Sequence, residues 1–93
     1  MSNRLEGKVA AITGAASGFG AAAAQRFVSE GGRVVLGDIQ SDAGKALAAQ
    51  LGDAARFCVC DVTQEDQVAN LIETAVNAFG KIDIMYNLSL IHI

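Results

Sequence analysis

The chain has 93 residues, 52% of them hydrophobic and 18% charged, with no proline and a net charge of −3, so it forms one domain at most and does not resemble a disordered chain. Its Lys and Arg residues occur singly, which excludes the basic stripe that nucleic-acid binding requires. Residues 1–8 lack the apolar core of a signal peptide, and no apolar run approaches the roughly 20 residues of a membrane span, so we expect a soluble cytoplasmic protein with no membrane partner.

The first half of the chain reads as strand, helix and strand. Residues 8–13 form a short apolar run bounded by glycines, which favours a strand buried on both faces of a parallel sheet. An alanine-rich segment, residues 20–30, predicts a helix that ends at Gly31. Residues 33–36 predict the second strand, and Asp38 marks its end.

A second helix and a third strand follow. Ser41 or Asp42 can cap the helix, and a glycine ends it. Residues 56–60 predict a strand on which Cys58 and Cys60 share one face, because side chains alternate along a strand. Two cysteines two positions apart on a strand are poorly aligned for a disulfide. We interpret them as packed free thiols rather than as a redox or metal site.

The last two elements are a long amphipathic helix and a fourth strand. Thr63 is predicted to cap the helix, which runs to Phe79, and Glu65 and Asp66 suit its positive N-terminal end. Residues 82–86 then predict the fourth strand. The helix carries one apolar stripe, formed by Val68, Leu71, Ile72, Ala75, Val76 and Phe79.

Strands that alternate with helices pair in parallel through right-handed crossovers. The fold class predicted from this alternation is α/β, a Rossmann-type doubly wound parallel sheet that is truncated after its fourth strand. We expect the strand order 3-2-1-4, in which the fourth strand is left as an open edge.

The turn between the first strand and the first helix carries the chemistry of a phosphate site. Its glycines are spaced Gly-x-x-x-Gly-x-Gly. Gly14 can take the tight turn, Gly18 leaves room for a pyrophosphate, and Gly20 lets the helix start close to the sheet. The N–H groups at the helix start attract phosphates, and the Ser17 hydroxyl adds a donor.

Asp38 indicates which dinucleotide would bind. It lies roughly 20 residues past the turn, where a carboxylate accepts hydrogen bonds from an adenosine ribose and repels a 2′-phosphate. No Arg or Lys stands at Ser17, Ile39 or Gln40 to receive such a phosphate. These residues predict NAD rather than NADP as the cofactor; the alternative is that Asp38 is a solvated loop acid.

Over residues 5–87 the sequence resembles the short-chain dehydrogenase/reductase family, whose glycine motif, acidic NAD selector and later motifs it matches. The resemblance implies that the Asp61 carboxylate accepts from the adenine amino group, that Val62 flanks the ring, and that Asn87 lines the cofactor ribose. The cofactor-binding residues predicted in this way are Gly14, Ser17, Gly18, Phe19, Gly20, Asp38, Asp61, Val62 and Asn87.

Catalytic groups are not predicted in this chain. The family's reaction uses a tyrosine, a lysine four residues later and a serine. Tyr86 has no lysine four positions on, so we interpret it as a packing residue. After Asn87 the match stops abruptly, and residues 88–93, which include Ser89 and His92, resemble translated sequencing adapter. We interpret them as a non-native tail, with a native strand extension as the alternative.

The sequence therefore predicts a partial NAD(P)-binding domain in residues 1–87, from an NAD-dependent oxidoreductase that transfers hydride between nicotinamide and a small-molecule alcohol or ketone. We expect the parent protein to be a homo-oligomer and the chain itself to be inactive. A standalone nucleotide-binding or interaction module is the alternative function. An epimerase-type relative is less favoured, because such proteins usually carry Gly-x-x-Gly-x-x-Gly.

Overall fold

A computed structural model describes residues 4–15 and 18–87. Parallel strands alternate with α-helices along the chain, and a short 3-10 turn precedes the third strand. The elements in chain order are β1 (Val9–Thr13), α1 (Gly18–Ser29), β2 (Arg33–Asp38), α2 (Ser41–Leu51), the 3-10 turn (Gly52–Ala54), β3 (Ala55–Val59), α3 (Glu65–Phe79) and β4 (Ile84–Asn87).

The strands form one parallel sheet in the order β3-β2-β1-β4. This is the predicted order, and the helices lie on both faces as in a doubly wound Rossmann-type fold. β1 is buried along its whole length, because it pairs with a strand on each side and is covered by helices on both faces. The central strand therefore supplies the rigid frame from which the loops extend.

Two apolar layers flank the sheet. Side chains that alternate along the strands pack on one face against α1 and α2 and on the other face against α3. The first layer is centred on Ile12, Leu36 and Phe27. The second contains Val35 and Leu71, with both cysteines packed into it. A sheet with a core on each face holds its strand ends in fixed relative positions.

Helix starts differ from the predictions. α1 begins at Gly18 rather than Gly20. The prediction that Ser41 or Asp42 caps α2 is wrong, because Gln40 is the N-cap and makes no side-chain cap bond. Gln64 likewise precedes α3 without a side-chain cap bond.

The prediction that Thr63 caps α3 is also wrong, because Gln64 is the N-cap. The Thr63 hydroxyl donates to the carboxylate of Asp61 instead, so it stabilises the loop that leads into the helix. The physical reason is the same for α2. In both loops an aspartate at or just past the end of the preceding strand accepts a hydrogen bond from the backbone N–H two residues ahead, before the helix begins.

The apolar stripe of α3 is only partly covered. Leu71 and Ala75 are buried, and Val68 and Phe79 pack beside them. Ile72 and Val76 are 36% and 44% exposed. In the part of the chain that the structure describes, β4 has a strand neighbour on one side only, which is the open edge expected from the sequence.

Candidate functional site

The carboxyl ends of the strands meet at one edge of the sheet. Thr13 at the end of β1 is paired with Gly37 of β2 on one side and with Asn87 of β4 on the other. Asp38 ends β2 and is paired with Val59 of β3. In open parallel sheets, the crevice beyond these ends is where ligands bind.

The glycine turn leaves β1 tightly and returns close to it. Gly14 has φ +66°, a conformation that favours glycine. The N–H of Ala15 donates to the carbonyl of Gly37 at 3.2 Å. A Cβ on Gly20 would collide with the Gly14 carbonyl and lie 2.7 Å from the Cα of Ala15. Helix α1 therefore starts against the backbone of the turn, as its third glycine predicts.

The other residues of this turn differ in environment. A Cβ on Gly18 would meet nothing within 4 Å, so this glycine borders open space. The Phe19 ring is 85% exposed in the first turn of α1. Ser17, also predicted to bind cofactor, lies outside the described residues. The first turn of α1 thus leaves free space beside its backbone for a phosphate-sized group.

Asp38 is nearly buried, with 8% of its surface exposed. Its carboxylate oxygen Oδ1 accepts a hydrogen bond from the backbone N–H of Gln40 at 2.8 Å. Its own carbonyl accepts from the N–H of Cys60 at 3.1 Å. The acid predicted from its position after β2 is therefore held by the turn that follows it and by the end of β3.

Asp61 lies in the loop between β3 and α3. Its Oδ1 accepts from both the hydroxyl and the backbone N–H of Thr63, at 2.7 and 3.0 Å. These bonds stabilise the carboxylate and hold the pKa of Asp61 below its usual value. The Asp61 N–H donates to Oε1 of Gln67 at 2.8 Å, which ties the loop to the first turn of α3.

A cleft of about 280 Å³ opens between these loops. Small-molecule pockets begin at roughly 300 Å³, so the cleft matches part of a dinucleotide rather than the whole. Gly14, Asp38, Asp61 and Val62, four of the residues predicted from the sequence, lie together in its wall. The other lining residues are Ile39, Gln40, Cys60 and Thr63.

Some of the predicted cofactor-binding residues do not line this cleft. Gly18 and Phe19 are at the start of α1, outside the lining. Asn87 ends β4 opposite Thr13 at the same sheet edge; its side chain lies outside the described residues. Sequence reasoning missed Thr63 and Gln67 as parts of the site, although Asp-x-Thr spacing is a known signal for a side-chain turn.

Both cysteines are free thiols, and Cys60 reaches the cleft wall. Burial raises the pKa of Cys58 and that of Cys60. The carboxylates of Asp61 and Asp38 act in the same direction on Cys60, because negative charge nearby disfavours a thiolate. The thiol beside the cleft is therefore a neutral packing group rather than a nucleophile.

A second cavity, about 330 Å³, lies at the amino ends of the strands. Arg33, Phe79 and Lys81 form part of its wall, and Arg33 lies over the Phe79 ring at 5.9 Å. The Lys81 ammonium pairs with Asp83 at 3.1 Å, so its charge is already balanced. This cavity lacks the glycine turn and the helix start that a phosphate needs.

Fold and site together define a Rossmann-type dinucleotide-binding unit of the short-chain dehydrogenase class. The family model described as short chain dehydrogenase matches residues 8–89, and the chain belongs to this family. Residues 90–93 lie outside the match.

Particular relatives agree with this assignment. Tropinone reductase-like 2 from Erythroxylum coca is 55% identical over 84 residues, which cover 90% of this chain and 30% of that protein. A 3-alpha-(or 20-beta)-hydroxysteroid dehydrogenase from Mycobacterium bovis is 49% identical over 87 residues, covering 94% and 34%. The chain thus spans about a third of the length of these curated relatives.

Solved structures show the same fold. A crystal structure of 3-ketoacyl-(acyl-carrier-protein) reductase from Brucella melitensis, complexed with NADH, matches with a TM-score of 0.83 and 44% identity, over 86% of this chain and 33% of that one. A second short-chain dehydrogenase/reductase from Brucella melitensis matches with a TM-score of 0.85 and 30% identity, over 91% and 37%. Within residues 4–15 and 18–87, no helix is long and apolar enough to cross a membrane.

Proposed function

We propose that residues 1–87 are the cofactor-binding part of an NAD-dependent short-chain oxidoreductase. The observation that carries this proposal is the position of Asp38, a nearly buried carboxylate in the wall of the same cleft as the glycine turn. A carboxylate there accepts hydrogen bonds from ribose hydroxyls and repels the extra phosphate of NADP. NAD is therefore the proposed cofactor.

The residues of this chain fit such a cofactor. Gly20 packs so closely on the turn that a side chain there would collide with the Gly14 carbonyl, while Gly18 leaves the approach to the helix start open. Backbone N–H groups there would hold the pyrophosphate, with the exposed Phe19 side chain beside it. The Ser17 hydroxyl remains a donor predicted from the sequence alone. Asn87, at the end of β4, would line the cofactor ribose.

The adenosine half would lie in the cleft between the two aspartates. Asp38 would bind the ribose, and Asp61 would accept from the adenine amino group. Val62, which lines the cleft, would pack on the ring. An apolar side chain beside two carboxylates would suit a flat base that carries an amino group at one edge.

The bound cofactor supplies a hydride donor and acceptor. The residues of this chain bind and orient it, and none of them is assigned a catalytic role. We propose that the whole protein transfers hydride between nicotinamide and an alcohol or ketone, and that the 93-residue chain alone shows no turnover.

An NMR titration of the ¹⁵N-labelled 93-residue chain with NAD tests the proposal, since it detects weak binding as well as tight binding. We expect saturable shifts at Gly14, Gly20, Asp38 and Asp61. The Asp53→Asn variant changes an acid in the exposed 3-10 turn and should leave the titration unchanged. A titration to millimolar NAD without shifts at the glycine turn and Asp38 would refute the proposal.

A further inference from the structure

We infer that Thr63 is a positioning residue that sets base selectivity. By holding one oxygen of the Asp61 carboxylate, it orients the other toward the 6-amino edge of adenine, so that the site prefers a 6-aminopurine dinucleotide to a 6-oxopurine one. The inference rests on the proposed function, because it concerns how the site recognises the adenine base of the cofactor.

The geometry at Asp61 is asymmetric. Both donors from Thr63, its hydroxyl and its N–H, bond the same oxygen, Oδ1. No group of the described residues donates to Oδ2. A carboxylate whose oxygens are divided in this way has one oxygen that orients the group and one that is free to accept from a ligand.

The main chain of Asp61 is held through both its N–H and its carbonyl. The Asp61 N–H bonds the side chain of Gln67, and the Asp61 carbonyl accepts from the N–H of Gln64 at 2.9 Å. The main chain therefore leaves the carboxylate torsion as the principal freedom at this position. The Thr63 hydroxyl, at 2.7 Å, restrains that torsion.

The chemistry of the base edge follows from charge. An ionised carboxylate accepts hydrogen bonds and donates none. The exocyclic amino group of adenine donates, whereas the 6-oxo group of hypoxanthine is itself an acceptor. Hypoxanthine also carries a donor, its N1–H, so a carboxylate oxygen must be held at the 6-substituent itself to favour the amino base over the oxo base. If the carboxylate turns away, the difference in affinity between the two dinucleotides falls.

Thr63 can be changed without loss of core packing, because it is exposed. Thr63→Val keeps the β-branched shape and the backbone N–H but removes the hydroxyl donor. Thr63→Ser keeps the donor. Thr74→Val is the matched control, since it removes a hydroxyl that donates to the Asn70 carbonyl in the middle of α3, away from the cleft lining.

The test compares the affinity of each variant for NAD and for nicotinamide hypoxanthine dinucleotide by NMR titration of the labelled chain. Charge-assisted hydrogen bonds are among the stronger ones, so we expect the wild type and Thr74→Val to prefer NAD by about tenfold. In Thr63→Val the preference falls to about threefold or less, and Thr63→Ser restores it.

Three results would overturn the inference. The wild type could bind both dinucleotides equally, Thr63→Val could keep the tenfold preference, or Thr63→Val and Thr74→Val could lose it together. A wild type that binds NAD at the glycine turn but shows one of these results leaves the proposed function intact. A wild type that binds neither dinucleotide refutes both.

Discussion

The backbone N–H of Cys60 donates to the carbonyl of Asp38 at 3.1 Å. This bond continues the pairing of β3 with β2 one step past the end of β3. It places the residue before Asp61 against the end of β2. The two carboxylates of the cleft, Asp38 and Asp61, are therefore held on one backbone frame rather than on independent loops.

Asp38→Asn should weaken NAD binding and reduce the preference for NAD over NADP. The amide oxygen can still accept from the N–H of Gln40, which the carboxylate bonds at 2.8 Å, so the turn is kept while the negative charge is lost. Without that charge the 2′-phosphate of NADP is no longer repelled. We expect the ratio of the two affinities to fall about tenfold, as measured by parallel titrations.

Asp53→Asn, which also removes one negative charge, is the control for net charge. It should keep the wild-type ratio, because Asp53 lies in the exposed turn before β3. An unchanged ratio in Asp38→Asn would show that Asp38 does not select the cofactor.

Gly20→Ala and Gly18→Ala separate folding from binding in the glycine turn. The new Cβ at position 20 would collide with the backbone of Gly14 and Ala15, and overpacking of this kind costs about 1–3 kcal/mol. At position 18, the first residue of α1, a Cβ meets nothing within 4 Å, so alanine causes no collision there.

Urea unfolding should therefore show a loss of stability for Gly20→Ala and none for Gly18→Ala. The NAD titration should show weaker binding for Gly18→Ala, since its methyl group occupies the approach to the helix start. If Gly18→Ala binds NAD as tightly as the wild type does, the pyrophosphate does not approach there.

The order and type of the elements could be predicted from the sequence because their signals are local. Apolar runs bounded by glycine mark the strands, and Gly31, with φ +94°, and Gly80, with φ +85°, follow helices α1 and α3. The strand order follows from the handedness of crossovers and from the position of the glycine turn. These rules need no knowledge of side-chain contacts.

The helix caps and the residues that hold Asp61 in place could not be predicted in the same way. Residue preferences pointed to Thr63 as a cap, yet its hydroxyl is taken by Asp61. Gln67 bonds the Asp61 backbone only because α3 starts beside the end of β3. Such contacts depend on the distance and orientation between two elements, and the sequence pattern does not predict these.

The two cysteines should react slowly with a thiol reagent in the native chain. Burial raises the pKa of both thiols, so little thiolate is present at pH 7.5. Cys60 is 3% exposed while Cys58 is half-buried, so Cys58 reacts first. Labelling of Cys58→Ser and Cys60→Ser, each with one thiol left, measures the two rates separately.

Denaturant should accelerate both reactions to the rate of a free thiol. The same raised pKa values fix the sign of the pH effect on stability. The contribution of the two protonated thiols to the stability of the fold is complete below the unfolded pKa of about 8.5. It is lost as the pH rises through the pKa values of the folded chain. Rapid reaction of both thiols in the native chain would contradict this account.

Asp83 should make the attachment of β4 sensitive to acid. Its Oδ2 accepts from the backbone N–H of Val9 at 2.9 Å and from Lys81 at 3.1 Å. The Val9 N–H is the main cause that lowers the pKa of Asp83, and Lys81 adds to it. A carboxylate with a lowered pKa stabilises the fold above its unfolded pKa of about 4, and this contribution is lost as the pH falls through the folded value.

Thermal unfolding between pH 6 and pH 2.5 measures the effect, at pH values chosen on either side of the unfolded pKa of about 4. The amide oxygen of Asp83→Asn can still accept from Val9 but does not titrate, so this variant should lose part of the decrease in unfolding temperature on acidification. Lys81→Met should keep most of that decrease, because Val9 rather than Lys81 is the main cause. If Lys81→Met flattens the pH profile and Asp83→Asn does not, the bond to β1 is not what holds β4, and the position of Asn87 at the sheet edge depends on the strand pairing alone.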